Sequence, residues 1–383
     1  MEIVVKTLEG LEGVLANELK SLQLSNIEIL NRAVRCEGTW SQLYKCNYCL
    51  RTAMRVLVPI KKATLESQDD LYDVVKSIDW TEYIPDKKTF AINGTIAGEL
   101  FTYSRFAVFR AKDAIADQLV EKKGYRPNVK PKNPDILIDL YINADNELTI
   151  SMDSSGKSLH LRNYKYRQYK APLNEVLAAG IILLAGYDGS QVFQDAMCGS
   201  GTLITEALMI AANIPAGMFI EKFAFQNWAN FSPEVWESVK EIAKNGIRHP
   251  ENEIIGSDLN RFAIRDVKKN LQKFPLKEKV QLFERDFFKT NGHPNRLLIM
   301  NPPYDRRIAM DNIHEFYSEI GNALKKFWQD STVWVITSNL NAMKSFGLRP
   351  TKKITLNNGG LESKLYKFEV YEGSRKAKFQ RKD

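Results

Sequence analysis

A glycine-rich turn between an apolar segment and a helical pattern is the feature that most restricts the fold of this chain. The segment Asp195–Thr202 has the sequence DAMCGSGT and follows a short apolar run that begins at Val192. A strand that passes through glycines into a helix is typical of an open α/β sheet, in which ligands bind beyond the carboxyl ends of the strands. The turn therefore predicts a domain that binds a small cofactor against backbone.

The segments after residue 171 alternate between helical and strand patterns. Helices are predicted over 173–185, 202–213, 260–273 and 311–328, and strands over 192–195, 253–258, 279–283, 297–301 and 332–337. Two further strands, 352–356 and 364–371, flank the turn Asn357–Gly360 and form a hairpin. The order predicts an α/β fold with a doubly wound, mostly parallel, seven-stranded sheet of the Rossmann-like kind. Residues 1 to about 155 read as a separate mixed α/β region.

Composition narrows the class of protein. The 383 residues are 44% hydrophobic and 26% charged, as in globular proteins of two or three domains. No apolar run reaches the roughly 18 residues of a membrane span, so we expect a cytoplasmic protein without membrane contact. Cys46 and Cys49 form a C-x-x-C spacing, but the four histidines are scattered singly. We therefore predict buried thiols on a helix and no metal site.

Three acidic residues at predicted strand ends suit a nucleoside cofactor. Asp195 ends the first strand, Asp258 can accept from both ribose hydroxyls, and Asp286 can accept from an adenine amino group beside Phe287. The turn has no lysine for a P-loop. Asp258 lies 63 residues after Asp195, whereas a dinucleotide fingerprint has its ribose acid about 20 residues on. An adenosine with a short zwitterionic tail fits better than NAD, ATP or FAD.

The tetrapeptide Asn301-Pro302-Pro303-Tyr304 follows the fourth strand of this domain and predicts a base site. An exocyclic amine of guanine or adenine is a weak nucleophile, and acceptors of its N–H groups help as positive charge develops on nitrogen. The Asn301 side chain and the Pro302 carbonyl can accept, and the prolines hold the carbonyls in fixed positions. Tyr304 offers a stacking face to an extruded base. Asp305 after it is compatible with phosphate contact or with simple solvation.

A basic segment joins the two regions. It carries interleaved cations and tyrosines, and we predict RNA contact at Lys157, Arg162, Tyr164, Lys165 and Arg167. The alternative is a solvated linker whose tyrosines pack on a neighbouring domain. The net charge of +8 permits a nucleic-acid partner without establishing one.

With these motifs, the chain resembles the bacterial THUMP-domain methyltransferases that methylate the 2-amino group of a guanine in 23S ribosomal RNA. The resemblance is carried by segments along nearly the whole chain: 109–115, 153–159, 171–175, 195–202, 223–228 with Trp236, 301–304 and 360–363. It implies S-adenosyl-L-methionine as the methyl donor, held by Pro172, Asp195, Cys198, Gly199, Ser200, Gly201, Thr202, Asp258, Asp286 and Phe287. It also implies that the tetrapeptide 301–304 is catalytic.

The resemblance further implies an order of domains. We expect a ferredoxin-like α/β region over 1–43, a THUMP RNA-binding domain over 44–156, a basic linker over 157–171, a class I methyltransferase domain over 172–373 and a basic tail over 374–383. The expected partner is ribosomal RNA, either 23S or a large-subunit precursor particle, with no obligate protein partner. A single methylation is expected, because the expected order of domains contains one methyltransferase domain. The alternatives are guanine-N2 methylation of tRNA, adenine-N6 methylation, and a non-catalytic RNA-binding assembly factor.

Overall fold

The computed structural model describes residues 1–166, 173–290, 292, 294–303 and 312–371. The chain divides into two compact units whose segments alternate along the sequence. Unit 1 contains Met1–Thr7, Leu15–Leu161 and Ile220–Ile242. Unit 2 contains Leu8–Val14, Arg162–Phe219 and the chain from Ala243 onward.

Unit 1 is built on one mixed sheet of seven strands. The strands are β1 (Glu2–Lys6), β2 (Ser25–Leu30), β3 (Ala33–Glu37), β4 (Arg55–Thr64), β5 (Phe90–Ile96), β6 (Ile136–Ile142) and β7 (Glu147–Asp153), in the order β2-β3-β1-β4-β7-β6-β5. All neighbours are antiparallel except β5 and β6, which are parallel. The parallel pair needs a crossover, and α4, described next, supplies it.

The helices of this half of the chain begin and end where the sequence provides caps. They are α1 (Glu12–Ser21), which continues from unit 2 into unit 1, α2 (Trp40–Cys49), α3 (Gln68–Lys76) and α4 (Ser104–Lys123). Thr39 with Gln42, and Ser67 with Asp70, form capping boxes that satisfy the first amides of α2 and α3. The helix α4 ends at Gly124, whose φ of 73° closes the last turn.

Unit 2 contains a second seven-stranded sheet. Its strands are β8 (Val192–Asp195), β9 (Ile254–Asp258), β10 (Val280–Glu284), β11 (Arg296–Met300), β12 (Ser331–Thr337), β13 (Lys352–Asn358) and β14 (Leu361–Val370), in the order β10-β9-β8-β11-β12-β14-β13. The first five strands of this order are parallel, and β14 runs antiparallel to both of its neighbours. The predicted doubly wound, mostly parallel sheet with a closing hairpin is confirmed.

The helices that cover this sheet are strongly apolar where they face it. They are α5 (Glu175–Leu184), α6 (Thr202–Ala211), α8 (Arg261–Leu271) and α9 (Ile313–Phe327), whereas α7 (Pro233–Asn245) lies mostly in unit 1. Every residue of α6 is buried, so its sequence TLITEALMIA has no solvent face. On the other side, Tyr317 and Ile320 of α9 pack with Leu298 and Val333 of the sheet in one cluster. Full burial of each such aliphatic side chain contributes roughly 1.5–3 kcal/mol.

The aromatic segment between α6 and β9 belongs to unit 1, although the sequence analysis counts it within the methyltransferase domain. Phe225 stacks on Tyr44 of α2 with ring centroids 4.4 Å apart, and Trp236 meets Tyr48 edge-on at 5.3 Å. The Phe225 amide also donates to the carbonyl of Ser154 at 3.0 Å. These contacts give unit 1 an aromatic core to which two distant parts of the chain contribute.

Within the described residues, no helix has the length and apolar character needed to cross a membrane.

Candidate active site

The strand register of unit 2 brings the two sequence motifs to one edge of the sheet. β8 lies at the centre, with β9 on one side and β11 on the other, so the direction of winding reverses there. Leu298 pairs with Gln194, and Asp195 pairs with Gly256. Continued by three residues, the first register places Asn301 beside the turn that follows Asp195. Such a switch point is where open α/β sheets bind ligands.

The two glycines of the turn have different structural roles. Both have positive φ, 49° at Gly199 and 75° at Gly201, which favours glycine over other residues. A Cβ on Gly201 would lie 2.6 Å from both γ-carbons of Val267, so this glycine lets α8 pack against the turn. A Cβ on Gly199 would meet no atom within 4 Å. Gly199 therefore presents backbone to open space at the edge of the sheet.

Asp258 fixes the shape of this turn. Its Oδ2 accepts from the Gly199 amide at 2.8 Å, and its Oδ1 accepts from the Asn260 amide at 2.8 Å. The Cys198 amide donates to the Ser257 carbonyl at 3.0 Å, which adds a second link between β9 and the turn. Each carboxylate oxygen has two lone pairs, so Asp258 retains acceptor capacity for a further hydroxyl at each oxygen.

Asp195 is a buried carboxyl group with few neighbours that stabilise its ionised form. Its exposed fraction is 2%. Burial, with the negative charge of Asp258 adding to it, raises the pKa of Asp195 to about 8, and only the Met197 amide, which donates at 3.1 Å, acts in the opposite direction. A positively charged ligand nearby would restore the ionised form. Perturbed carboxyl groups at strand ends are typical of functional sites.

Asp286 and Phe287 follow β10, where Asp286 caps the N-terminus of a short 3-10 helix, Phe287–Lys289. The Asp286 Oδ1 accepts from the Phe288 amide at 3.0 Å, and Lys289 Nζ is 3.7 Å from its Oδ2. The Phe287 ring is buried and stacks on Trp328, with centroids 5.9 Å apart. Most of the ring surface is therefore covered by the core itself, which leaves little of it to contact a cofactor ring.

One candidate residue was missed by the sequence analysis. Leu259 directly follows Asp258 at the end of β9, and its exposed fraction is 71%. An apolar side chain next to the ribose-binding candidate can cover one face of a bound purine. The signal that could have found it is an aliphatic residue directly after a strand-end acid, in a position where no core contact is expected.

Asn301 carries an unusual acceptor. Its side-chain oxygen Oδ1 is buried and has no hydrogen-bond partner among the described residues. Burying an unpaired polar atom costs about 1–3 kcal/mol, so such atoms are rare in native proteins. Pro302 is buried and Pro303 half-buried directly after it. Tyr304 and Asp305 lie outside the described residues, so their predicted roles stay predictions.

The basic segment is folded inward in the part that the structure describes. Arg162 and Tyr164 are each 1% exposed. The Tyr164 hydroxyl donates to Glu206 of α6 at 3.1 Å, and the Arg162 Nε lies 3.6 Å from the same carboxylate. In this conformation neither side chain is accessible to RNA, because both pack against α6. The predicted RNA contact at these two positions therefore disagrees with their burial.

The other predicted RNA-contact residues differ among themselves. Lys165 Nζ lies 2.5 Å from Glu175 of α5 and is mostly buried, so it too has an internal ion-pair partner. Lys157, in unit 1, is exposed. Arg167, together with the predicted cofactor residue Pro172, lies outside the described residues.

Asn270 of α8 links the basic segment to the glycine turn. Its side chain is fully buried and accepts from the Tyr166 amide at 2.6 Å. Its amide group donates to the Ser200 carbonyl at 3.2 Å. The position of the turn is therefore coupled to the backbone of the segment that precedes α5. Sequence reasoning did not single out this residue, since an asparagine in a helix has no distinctive pattern.

The thiols of the C-x-x-C spacing lie on α2 in unit 1. Burial raises the pKa of Cys46 well above its usual value and that of Cys49 to about 11, so both are held as neutral thiols at neutral pH. In the described ranges, no cluster of three or more histidine, cysteine, aspartate or glutamate side chains has the arrangement of a metal site.

The family described as the RMKL-like methyltransferase domain matches residues 162–367 of the 383. The chain belongs to this methyltransferase family. The RlmL ferredoxin-like domain matches residues 2–57, and the THUMP domain matches residues 66–153. The resemblance to THUMP-domain methyltransferases is confirmed, and the methyltransferase match includes all the motifs of unit 2 described above.

Individual relatives agree with this assignment. The putative RNA methyltransferase slr0064 of Synechocystis sp. is 34% identical over 365 residues, which are 94% of this chain and 95% of the relative. The ribosomal RNA large subunit methyltransferase K/L of Syntrophotalea carbinolica is 33% identical over 377 residues, but the match covers 53% of that protein. The chain thus spans about half the length of such relatives.

A solved structure also resembles the whole chain. The putative methyltransferase SMU.472, complexed with SAH, superposes with a TM-score of 0.86 at 26% identity, over 97% of this chain and 99% of that one. The predicted ferredoxin-like, THUMP and methyltransferase architecture is therefore shown, while the exact domain boundaries stay predictions.

Proposed function

We propose that the chain transfers a methyl group from S-adenosylmethionine to the exocyclic 2-amino group of a guanine in 23S ribosomal RNA. The family membership supports methyl transfer, and the names of the relatives support an RNA substrate. The observation that carries the proposal is the buried, unpaired Asn301 oxygen, on a residue that the register of β11 and β8 brings to the same edge of the sheet as the turn with Gly199. At this edge, the Asn301 oxygen lacks a hydrogen-bond donor. The backbone at Gly199 faces open space, in which a cofactor would have room.

The residues of the turn fit S-adenosylmethionine. Asp195, buried with a raised pKa, suits a ligand that carries positive charge. The open backbone at Gly199 suits close approach, and Asp258 has acceptor capacity for ribose hydroxyls. Asp286 with Leu259 would hold the adenine, and Pro172 and the backbone over 198–202 would hold the remainder. The bound cofactor would supply an electrophilic methyl group on a sulfonium centre.

Asn301 would act on the nucleobase. Its Oδ1 would accept from the amino group, and the Pro302 carbonyl would accept from the second N–H. Both acceptors stabilise the positive charge that develops on nitrogen when it attacks. Because Asn301 is already desolvated and unpaired, its hydrogen bond to the substrate does not compete with water. The predicted stacking of the flipped base on Tyr304 would hold the amine in position for transfer.

The same acceptors fit the 6-amino group of adenine, so the base must be identified by experiment. Purified protein is incubated with labelled S-adenosylmethionine and total RNA from cells that lack it, and the modified nucleosides are separated by mass spectrometry. We expect N2-methylguanosine in the large ribosomal RNA. N6-methyladenosine would refute the base assignment, label in tRNA would refute the RNA class, and no label would favour the non-catalytic assembly factor.

The Asn301→Ala variant tests the role of the orphan acceptor. We expect loss of turnover by a factor of at least about a hundred, the size of effect seen when a single oxyanion-type contact is removed. We expect unchanged affinity for S-adenosylmethionine by calorimetry, and no loss of stability above about 1 kcal/mol, because the removed oxygen has no described partner.

Asn245→Ala, on the exposed side of α7, serves as the matched control and should behave as the wild type. If Asn301→Ala retains full turnover, the proposed catalytic role of Asn301 is wrong.

A further inference from the structure

Two neighbouring strands of unit 2, β11 and β12, carry polar side chains on the same face of the sheet. Where the two strands pair, Met300 lies opposite Val335, and both side chains belong to the cluster that packs on α9. Side chains alternate between the two faces along a strand. Asn301 follows Met300 by one position and Ser338 follows Val335 by three, so both point to the face away from α9.

Ser338 lies close enough to Asn301 to contact the same nucleobase. Continued by one residue, the register of β11 and β12 places Asn301 opposite Ile336, so Ser338 is its diagonal neighbour on the next strand. Strands lie about 4.8 Å apart and rise about 3.3 Å per residue, so the two Cα atoms are roughly 8 Å apart. Ser338 is half-buried, so its side chain remains accessible to a ligand. The two side-chain oxygens can therefore converge on neighbouring atoms of one base edge.

The Ser338 hydroxyl belongs to a short chain of hydrogen bonds. Its Oγ is 2.7 Å from the Oγ of Ser363 on β14, which is the residue opposite Ser338 when the register of β12 and β14 is continued by one pair. This contact agrees with the face that the alternation of side chains assigns to Ser338. Ser363 has no exposed surface, and its Oγ donates to the Leu361 carbonyl at 3.4 Å.

The direction of these hydrogen bonds determines what Ser338 offers to a ligand. A serine hydroxyl has one proton and two lone pairs. Because the Ser363 proton is directed to the Leu361 carbonyl, the bond between the two serines takes its proton from Ser338. The Ser338 oxygen then serves a ligand as an acceptor, as the Asn301 oxygen does.

Two neighbouring acceptors distinguish guanine from adenine. The ring nitrogen N1 beside the amino group carries a proton in guanine and a lone pair in adenine. An acceptor next to the Asn301 oxygen therefore attracts the N1–H of guanine and repels the N1 of adenine. A site built to bond a polar group of its substrate rejects an analogue that lacks this group, because the polar atom of the site is then left unpaired.

We propose that Ser338 selects guanine over adenine, by accepting the hydrogen bond of guanine N1–H while Asn301 accepts from the 2-amino group. Ser363 acts through Ser338, because it is the acceptor that keeps the Ser338 proton away from the base. The inference rests on the proposed function and deepens it, since the acceptors of Asn301 and Pro302 fit either amino group. It assigns the choice of base to residues outside the tetrapeptide 301–304.

The test compares guanosine with 2-aminopurine riboside, which keeps the 2-amino group but has an unprotonated N1. Each nucleoside is titrated by NMR into the full chain loaded with S-adenosylhomocysteine, and the wild type should bind guanosine more tightly. Ser338→Ala should weaken guanosine binding roughly two- to tenfold, the range for one hydrogen bond, without weakening the binding of 2-aminopurine riboside. Ser363→Ala frees the Ser338 proton to donate to the unprotonated N1, so it should tighten the binding of 2-aminopurine riboside severalfold. Ser190→Ala, at an exposed position before β8 and at the opposite edge of the sheet, is the matched control and should bind both nucleosides as the wild type.

The outcomes separate this inference from the proposed function. A preference for guanosine that depends on Ser338 supports the inference even if no RNA accepts methyl groups. The inference is wrong if the wild type shows no preference for guanosine, or if Ser338→Ala keeps the wild-type preference. Equal loss of affinity for both nucleosides would show that Ser338 only supports the fold. Formation of N2-methylguanosine in RNA by Ser338→Ala at the wild-type kcat/KM would overturn the inference while leaving the proposed function intact.

Discussion

The two glycines of the turn Asp195–Thr202 provide a matched pair of substitutions. Gly199→Ala and Gly201→Ala add the same methyl group two residues apart, at φ angles of 49° and 75°. A non-glycine residue in the left-handed region costs roughly 1–2 kcal/mol. At Gly199 this is the whole expected effect on the free energy of unfolding, because the new Cβ meets no atom within 4 Å.

At Gly201 the same strain is joined by a clash. The Cβ would lie 2.6 Å from two γ-carbons of Val267, a residue with no exposed surface. Overpacking of a core by a methyl group costs typically about 1–3 kcal/mol. We therefore expect Gly201→Ala to lower the free energy of unfolding by roughly 2–5 kcal/mol. Adding Val267→Ala should recover part of this loss, with a coupling of about 1–3 kcal/mol.

The effects on S-adenosylmethionine binding should have the opposite order, with Gly199→Ala showing the more specific loss of affinity. The Cβ at Gly199 enters the space that we assign to the cofactor, so Gly199→Ala should weaken S-adenosylmethionine binding at least about tenfold in a protein that stays well folded. Denaturant titration and calorimetry measure the two quantities separately. Equal destabilisation by both substitutions would refute the packing argument, and wild-type affinity in Gly199→Ala would refute the position of the cofactor.

Two further predictions concern residues that support this turn. Asp195, with a pKa of about 8 in the free protein, should ionise when a cationic ligand binds, so the affinity for S-adenosylmethionine should rise with pH up to about 8 and then level off. Calorimetry across this range checks it, and a pH dependence that persists in Asp195→Asn would contradict it. Asn270→Ala should lower the melting temperature and weaken S-adenosylmethionine binding severalfold, because the Ser200 carbonyl loses its donor. Asn270→Asp, which keeps only the acceptor for Tyr166, should show the same loss of affinity; a lower melting temperature with unchanged affinity in both would mean that Asn270 serves stability alone.

Most of the methyltransferase fold could be predicted from the sequence because its elements are locally encoded. Strands such as β11 are short apolar runs that end at a polar residue, and α9 has an apolar stripe of helical period. The predicted helix over 311–328 and the observed Ile313–Phe327 agree within the usual uncertainty of helix ends. Membership of the aromatic segment in unit 1 could not be predicted, because it depends on the stacking of Phe225 on Tyr44, far away in the sequence.

Side-chain direction explains where the site predictions diverged from the structure. Arg162 and Tyr164 lie in a basic stretch whose composition suits RNA, yet their partner Glu206 is in the middle of the apolar helix α6. A buried acid in such a helix needs a cation and a donor, and the basic segment supplies both. Conversely, the exposed Phe106 and Phe109 follow the spacing of a core stripe, so the pattern alone gave no sign that these rings face solvent.

The chemical character of the ligands can be inferred from what this edge of the sheet lacks. Asp195 is a buried carboxyl group with one weak donor, and the Asn301 oxygen is a buried acceptor with no described donor. Both positions lack the same kind of partner, because each would be stabilised by a positive charge or an N–H group that a ligand supplies. A pyrophosphate would make the electrostatics at Asp195 worse, whereas a cationic cofactor and an amino-bearing base would correct both positions. Under the proposed function, the free protein would hold this imbalance at a cost in stability, and binding of both proposed ligands would remove that cost.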